Sequence, residues 1–373
     1  MRKEVIKAVI VVFIASFCTM VIELVAGRIM APYIGVSLYT WTSIIGVVLA
    51  GISIGAYLGG IIADRFPTPK TLGWLLFLSG IGALGISPLT EFVARWQMQT
   101  SLMFRILTLT AVIFFVPSCL LGMISPVVVR LSLDRLEKSG GVVGKIYAFS
   151  TLGSILGTFT TGFFLISWMG TRNILFLMGI ILIVSSPFFG GVFIRRKVLG
   201  VLFPAMFVFL WSVHGLAFKK QQDANSYFYA ETDYYTIEVK KIEKGEKKLE
   251  SVVLDNLIHS YVDREDPLHL QYGYERVYGD LVTWKAAVNP KFRALIIGGG
   301  GYTFPRYLEK KYPEAQIEVI EIDPRLTAIA TEILGLSPNT RIRSFNADAR
   351  WFLMNFPEKR VYDFIFGDAF NDL

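Results

Sequence analysis

Long apolar runs with no period-two alternation fill the first 218 positions, and a different pattern begins at Lys219. A membrane-spanning helix needs about 20 mostly apolar residues. Seven runs meet that need, at 5–27, 38–62, 72–90, 103–129, 146–168, 173–194 and 199–217. The first is too long for a signal-peptide core, has no small-residue cleavage site and is followed at once by further spans, so it reads as a span. Beyond Lys219, positions 234–239 alternate in strand fashion, 240–248 form a charged turn centred on Gly245, and 249–254 return as a second strand. Residues 233–262 therefore predict a small antiparallel β element, and 267–288 one helix or two short ones.

From 293 onward the pattern becomes strand–helix alternation. Strands are predicted at 293–297, 317–323, 341–345 and 362–366, and helices at 303–311, 325–334 and 348–355. That alternation implies a parallel sheet with ligands at the strand C-termini. The predicted fold is a multi-pass α-helical membrane domain (1–218, about seven spans), then a small β element with a lid-like helical segment (219–290). An α/β Rossmann-like domain (291–373) follows.

Charge sharpens the division. Residues 1–218 carry sixteen Lys and Arg against six Asp and Glu, whereas 219–373 carry twenty-one against twenty-four. The basic excess thus belongs to the apolar half, where it reads as membrane topology. A nucleic-acid partner would want it on the polar half. With the N-terminus cytoplasmic, inner loops hold twelve Lys and Arg and outer loops four. Seven spans would then put the C-terminal half outside, away from cytosolic metabolites. The weakest run, 199–217, with Pro204 and His214, would restore an even count if it lies at the interface. Two cysteines, Cys18 and Cys119, exclude a disulfide scaffold and a Cys-rich metal site, and no metal site is expected.

Two features mark the spans. Glu23 is an ionisable group in an apolar helix, either functional or paired with Arg28. Gly51, Gly55, Gly59 and Gly60, and again Gly153 and Gly157, make smooth faces for close helix approach. The first series ends in Asp64-Arg65, a short match to a cytoplasmic loop motif of major-facilitator transporters.

Candidate chemistry lies at the predicted strand ends. Gly298-Gly299-Gly300-Gly301 follows the first strand and opens a helix, so ligand atoms can approach the backbone. Glu321, at the end of the second strand, can accept hydrogen bonds from both ribose hydroxyls. Asp348, after the third, can accept a hydrogen bond from an adenine amino group. The dinucleotide pattern G-x-G-x-x-G fails, since Thr303 or Phe304 takes its last position. Together these describe an adenosyl pocket.

The stretch 228–373 resembles the spermidine synthase (polyamine aminopropyltransferase) family, a branch of the S-adenosylmethionine-dependent methyltransferase fold. The matching pieces are Leu254-Asp255-Asn256 with His259, Tyr274-Glu275, Leu295 to Gly300, Glu321-Ile322-Asp323, Asp348-Ala349-Arg350 and Asp363 to Asp368. The whole chain is similar to membrane-fused members. The resemblance implies aminopropyl transfer from decarboxylated S-adenosylmethionine to a polyamine such as putrescine, with no bound prosthetic group or metal. It implies Asp368 as catalytic base, and Gly298, Gly299, Gly300, Glu321, Asp323, Asp348 and Ala349 at the donor. Asp255, His259 and Glu275 would seat the polyamine, although Glu275 alone reads as a solvated or ion-paired helix residue. Gly301 stands where the family carries an Asp, and Asn371 where it carries a second Asp after Asp368.

The family sheet continues past the last residue here, which implies that the C-terminal part of the domain is missing, or supplied by another chain or a homo-oligomer. Two other readings are an S-adenosylmethionine-dependent methyltransferase and an inactive membrane transport or sensor protein with an adenosyl-binding domain. The lipid bilayer is the expected partner and the cell membrane the expected location.

Overall fold

A computed structural model describes residues 3–94, 96, 100–133, 139–190, 225–245, 247–355 and 361–369. The chain divides into two units, Met1–Gln221 and Gln222–Leu373.

The first unit is helical: α1 (Lys3–Ile34), α2 (Leu38–Arg65), α3 (Pro69–Ala94), α4 (Leu102–Ser132), α5 (Ser139–Thr160) and α6 (Ile166–Gly190). By length and composition, five helical runs among the described residues can cross a membrane. The fifth, Gly140–Gly190, joins α5 to α6 through a π-helical turn at Thr161–Leu165. It also breaks at Gly170, whose φ of 72° is outside helical geometry. That break falls between the two expected runs 146–168 and 173–194. The run 199–217 lies outside the described residues.

Glycines set the helix spacing, because without a Cβ two backbones can meet. A Cβ on Gly51 would come within 2.8 Å of Ser118 Cβ, and one on Gly59 within 2.6 Å of Met123 Cα, so α2 rests directly on α4. Gly157 brings α5 equally close to Phe17 of α1. Gly60, by contrast, faces open space. Polar ties reinforce these contacts. Ser16 and Ser150 hydroxyls lie 2.6 Å apart, Arg172 pairs with Glu91 at 2.9 Å, and Arg130 pairs with Asp64 at 3.5 Å. Glu23 is half-buried on α1.

The second unit begins with a four-stranded antiparallel sheet, β1 (Ser226–Glu231), β2 (Thr236–Lys244), β3 (Lys247–Leu254) and β4 (Leu257–Val262), in sequential order. The sheet starts earlier than expected because β1 is a half-buried edge strand whose apolar positions do not alternate cleanly. Next comes α7 (Gly273–Ala286), a single helix shorter than the predicted 267–288. Residues ahead of it are held by Asp263, whose Oδ1 accepts from the Glu265 and Asp266 amides and thereby builds a turn.

The remainder alternates: β5 (Arg293–Ile297), α8 (Thr303–Lys311), β6 (Gln316–Glu321), α9 (Pro324–Glu332), β7 (Arg343–Asn346), α10 (Ala349–Asn355) and β8 (Phe364–Gly367). The strands are parallel in the order β7-β6-β5-β8. Ala294, Leu295 and Ile296 of β5 and Val319 and Ile320 of β6 are buried, as strands covered on both faces should be. One face packs on α7 and α8 through Val282, Phe304 and Leu308. The other carries Phe352 of α10 against Leu295 and Ile320. The antiparallel sheet packs on α9, with Ile237, Val252 and Val262 against Leu326 and Ile329. The order reverses beside β5, so the crevice where ligands bind opens above β5, β6 and β8.

Candidate functional site

The loop after β5 is shaped by glycine at two points. Gly298 has φ +96°, and a Cβ there would strike the Asp368 carbonyl at the end of β8. Gly300 has φ +49°, and a Cβ there would lie 2.7 Å from Ser260 Oγ. These glycines let the crests of β5, β8 and β4 converge.

The loop amides are engaged internally. Gly298 N–H donates to Ile320 O at 2.8 Å, Gly299 N–H to Glu321 Oε2 at 2.6 Å, Gly301 N–H to Ser260 Oγ at 2.7 Å and Tyr302 N–H to Gly299 O at 2.8 Å. Glu321 also accepts the Asp323 amide on Oε1 at 2.9 Å. Burial raises the pKa of this carboxyl, while the backbone donors at Asp323, Gly299 and Gly300 oppose the shift. Tyr302 neither stacks in the cavity nor obstructs it. Its ring is fully buried below the loop, and its hydroxyl donates to Ser344 Oγ at 3.0 Å and lies 3.1 Å from Thr327 Oγ1.

A cavity of about 400 Å³ occupies the crevice. Its floor is Gly298, Gly300 and Glu321, with Asp348 and Ala349 on one side and Asp368 on another. Asp348 Oδ1 accepts the Trp351 amide at 2.8 Å, which fixes the carboxylate at the start of α10. Two donor-side residues named from the sequence do not line the cavity. Gly299 contributes its amide to Glu321, and Asp323 caps α9 through Arg325 N–H at 2.9 Å while accepting the Thr232 hydroxyl at 2.6 Å.

Asp368 is held by its backbone amide on Ile297 O at 2.7 Å and by the Tyr274 hydroxyl, which donates to Oδ1 at 2.8 Å. Burial, and secondarily the Glu321 charge, push its pKa up to about 6, with the Tyr274 bond acting in the opposite direction. Tyr274 belongs to a run of rings, Tyr261, Tyr272, Tyr274 and Tyr278, with successive centroids 4.8, 5.4 and 5.6 Å apart. Tyr272 and Tyr274 line the cavity, and the Tyr272 hydroxyl donates to Ile258 O. The Tyr-Gly-Tyr spacing at the start of α7 was the available signal for this wall; Tyr274 figured in the sequence only as part of a matching motif, with no role of its own.

The residues expected to seat a polyamine separate in space. His259 lines the cavity, and burial lowers its pKa, so the ring is neutral at pH 7. Asp255 sits at the β3–β4 turn with φ +54°, and its Oδ1 accepts Thr236 N–H at 2.9 Å. Neither Asp255 nor Glu275 is on the cavity wall. Glu275 is not the solvated residue its helix position suggests, because it is 2% exposed.

Relatives agree with the resemblance read from the motifs. The chain is 23% identical over 370 residues to polyamine aminopropyltransferase 2 of Aquifex aeolicus, covering 96% of this chain and 71% of that protein. To polyamine aminopropyltransferase 2 of Ralstonia nicotianae it is 24% identical, covering 92% of this chain and 68% of the relative. An 85-residue stretch is 41% identical to polyamine aminopropyltransferase of Vibrio vulnificus, covering 22% of this chain and 28% of that protein. No family model matches the chain. The chain therefore resembles polyamine aminopropyltransferases across nearly its whole length, while its matches span from 28% to 71% of these three relatives' own lengths.

Proposed function

We propose that the chain is a membrane-bound transferase that moves the aminopropyl group of decarboxylated S-adenosylmethionine to a polyamine such as putrescine. The observation that carries this reading is the charge of the cavity. Glu321, Asp348 and Asp368 line it, and among its described lining residues there is no Lys or Arg. Carboxylates in a partly dry site favour cations. A decarboxylated sulfonium donor and an amine acceptor are both cationic. Intact S-adenosylmethionine brings a carboxylate, for which this wall offers no basic partner, and the amides of Gly298, Gly299, Gly301 and Tyr302 are already engaged.

In this reading Glu321 takes the ribose hydroxyls on its remaining lone pairs and Asp348 the adenine amino group. Asp368 accepts a proton from the acceptor ammonium, freeing a lone pair on nitrogen. That nitrogen attacks the propyl carbon beside the sulfonium. The C–N bond forms as the C–S bond breaks, its electron pair passes to sulfur as a neutral thioether, and Asp368 returns its proton to solvent. The tyrosine wall favours the cation by ring contact. The helices of the first unit would anchor the enzyme in the cell membrane, with the transferase domain on the cytoplasmic side where the donor is made.

The test is product analysis by mass spectrometry after incubating purified protein with putrescine and either donor. Spermidine and methylthioadenosine from the decarboxylated donor support the reading. A methylated amine from intact S-adenosylmethionine replaces it with methyl transfer, and binding without product replaces it with a sensor or transport role.

A further inference from the structure

One buried acid beside the cavity has no part in the chemistry above. Glu275 stands in the first turn of α7, directly after the tyrosine that holds Asp368. It is 2% exposed, and its Oε2 is buried without a hydrogen-bond partner. The backbone N–H of Tyr272 serves the carboxyl, an arrangement in which a first-turn Glu reaches back to the helix cap. Capping accounts for one oxygen and leaves the other bare.

A buried carboxylate oxygen with no donor is costly, and protonation relieves the cost. Facing groups reinforce this. Asp368 on the end of β8 repels a negative Glu275, and Tyr272 and Tyr274, its neighbours on the helix start, are neutral phenols whose own pKa values are pushed upward. Burial first, and then the Asp368 charge, push Glu275 up to about 8. At pH 7 Glu275 therefore keeps its proton while Asp368 is ionised.

We propose that Glu275 is a positioning residue that couples cation binding to proton release, surrendering its proton to solvent when a cationic amine settles beside Asp368. The inference rests on the cationic-ligand reading of the cavity. The incoming ammonium offsets the field of Asp368, the second of the two causes that hold the proton on Glu275, and so lowers its pKa and releases part of that proton. The step balances: the acid form of Glu275 becomes carboxylate, one proton passes to the buffer, and the bound ammonium keeps its charge. Negative charge beside the cavity then increases only while the site is occupied, which tightens its hold on a diamine.

The experiment is titration calorimetry of the full chain with putrescine, in the presence of methylthioadenosine so that no turnover occurs. Buffers of different ionisation enthalpy report protons released per ligand bound. The wild type should release a fraction of a proton that rises from pH 6, peaks below 8 and vanishes above 9. Glu275→Gln, whose amide keeps the shape and the cap acceptor, should bind with that component gone. Glu275→Asp should retain it with a shifted maximum. Should Glu275→Gln fail to fold, the wild-type pH dependence alone decides. Putrescine binding with equal proton release in wild type and Glu275→Gln, or a flat wild-type profile, overturns the role of Glu275. No putrescine binding at all instead overturns the cationic-ligand reading beneath it.

Discussion

Ninety-four residues separate Tyr274 from Asp368, yet the tyrosine hydroxyl donates a 2.8 Å hydrogen bond to the aspartate's Oδ1. This bond ties the start of α7 to the end of β8 and leaves the other carboxylate oxygen for a ligand. Asp368→Asn should lower aminopropyl transfer by about 10²- to 10⁴-fold, the range for losing a general base, with donor affinity changed only a few-fold. Equal loss of turnover and binding would make Asp368 a structural strand-end residue. Tyr274→Phe removes a charge-assisted bond worth about 1.5–3 kcal/mol. It should also move the acidic limb of the rate profile upward, since Tyr274 opposes the rise in the Asp368 pKa.

The rate should fall below about pH 6, where Asp368 becomes protonated and can no longer accept the amine proton. Stability should have its own pH signature. Glu275 rises from an ordinary 4.5 to about 8 on folding, so the folded state binds the proton more tightly than the unfolded chain. The stability this confers is complete below 4.5 and lost as pH climbs through 8. It is on the order of a few kcal/mol at about 1.4 kcal/mol per pKa unit. Melting temperature should therefore decline from pH 5 to 8.5 in the wild type and decline less in Glu275→Gln, measured by differential scanning calorimetry.

Glu321 holds the glycine loop and lines the donor cavity. Glu321→Gln places amide hydrogens against a backbone N–H and should cost about 1–3 kcal/mol, with donor affinity reduced at least about ten-fold by calorimetry. Gly301 cannot take the family's aspartate without strain, because a Cβ there would meet Val262 Cγ2 at 2.7 Å and Ser260 Cβ at 2.8 Å. Gly301→Asp should lower stability by about 1–3 kcal/mol and leave turnover no higher than the wild type.

In the helical unit, Gly59→Leu should disrupt the α2–α4 contact, whereas Gly60→Leu, facing open space, should be tolerated. Fluorescence-detected gel filtration in detergent would show loss of the monodisperse peak in the first variant only.

Some of this was legible in the sequence and some was not. The β5 and α8 boundaries follow from a buried apolar run meeting a glycine turn, so period and turn chemistry agreed. The parallel sheet followed from alternation, whereas the strand order β7-β6-β5-β8 was not read from it. Glu321 and Asp348 fall on the cavity wall because strand ends converge by topology. The role of Asp323 was not visible, since a strand-end acid and a helix-capping acid share one local pattern, whereas Asp255 beside Asn256 could be read as a turn former, and it sits at the β3–β4 turn. The burial of Glu275 depends on β8, far along the chain, which helix periodicity cannot register. The gap left between the apolar runs 146–168 and 173–194 contains Gly170, where the helix breaks.

Calorimetric titration of the purified full chain with decarboxylated and with intact S-adenosylmethionine bears most directly on the acid-lined cavity. The decarboxylated donor should bind at least about ten-fold more tightly, a difference of about 1.4 kcal/mol, because its carboxylate-free chain suits a wall of Glu321, Asp348 and Asp368. Equal affinity, or preference for the intact donor, would contradict the assignment of this cavity to aminopropyl transfer.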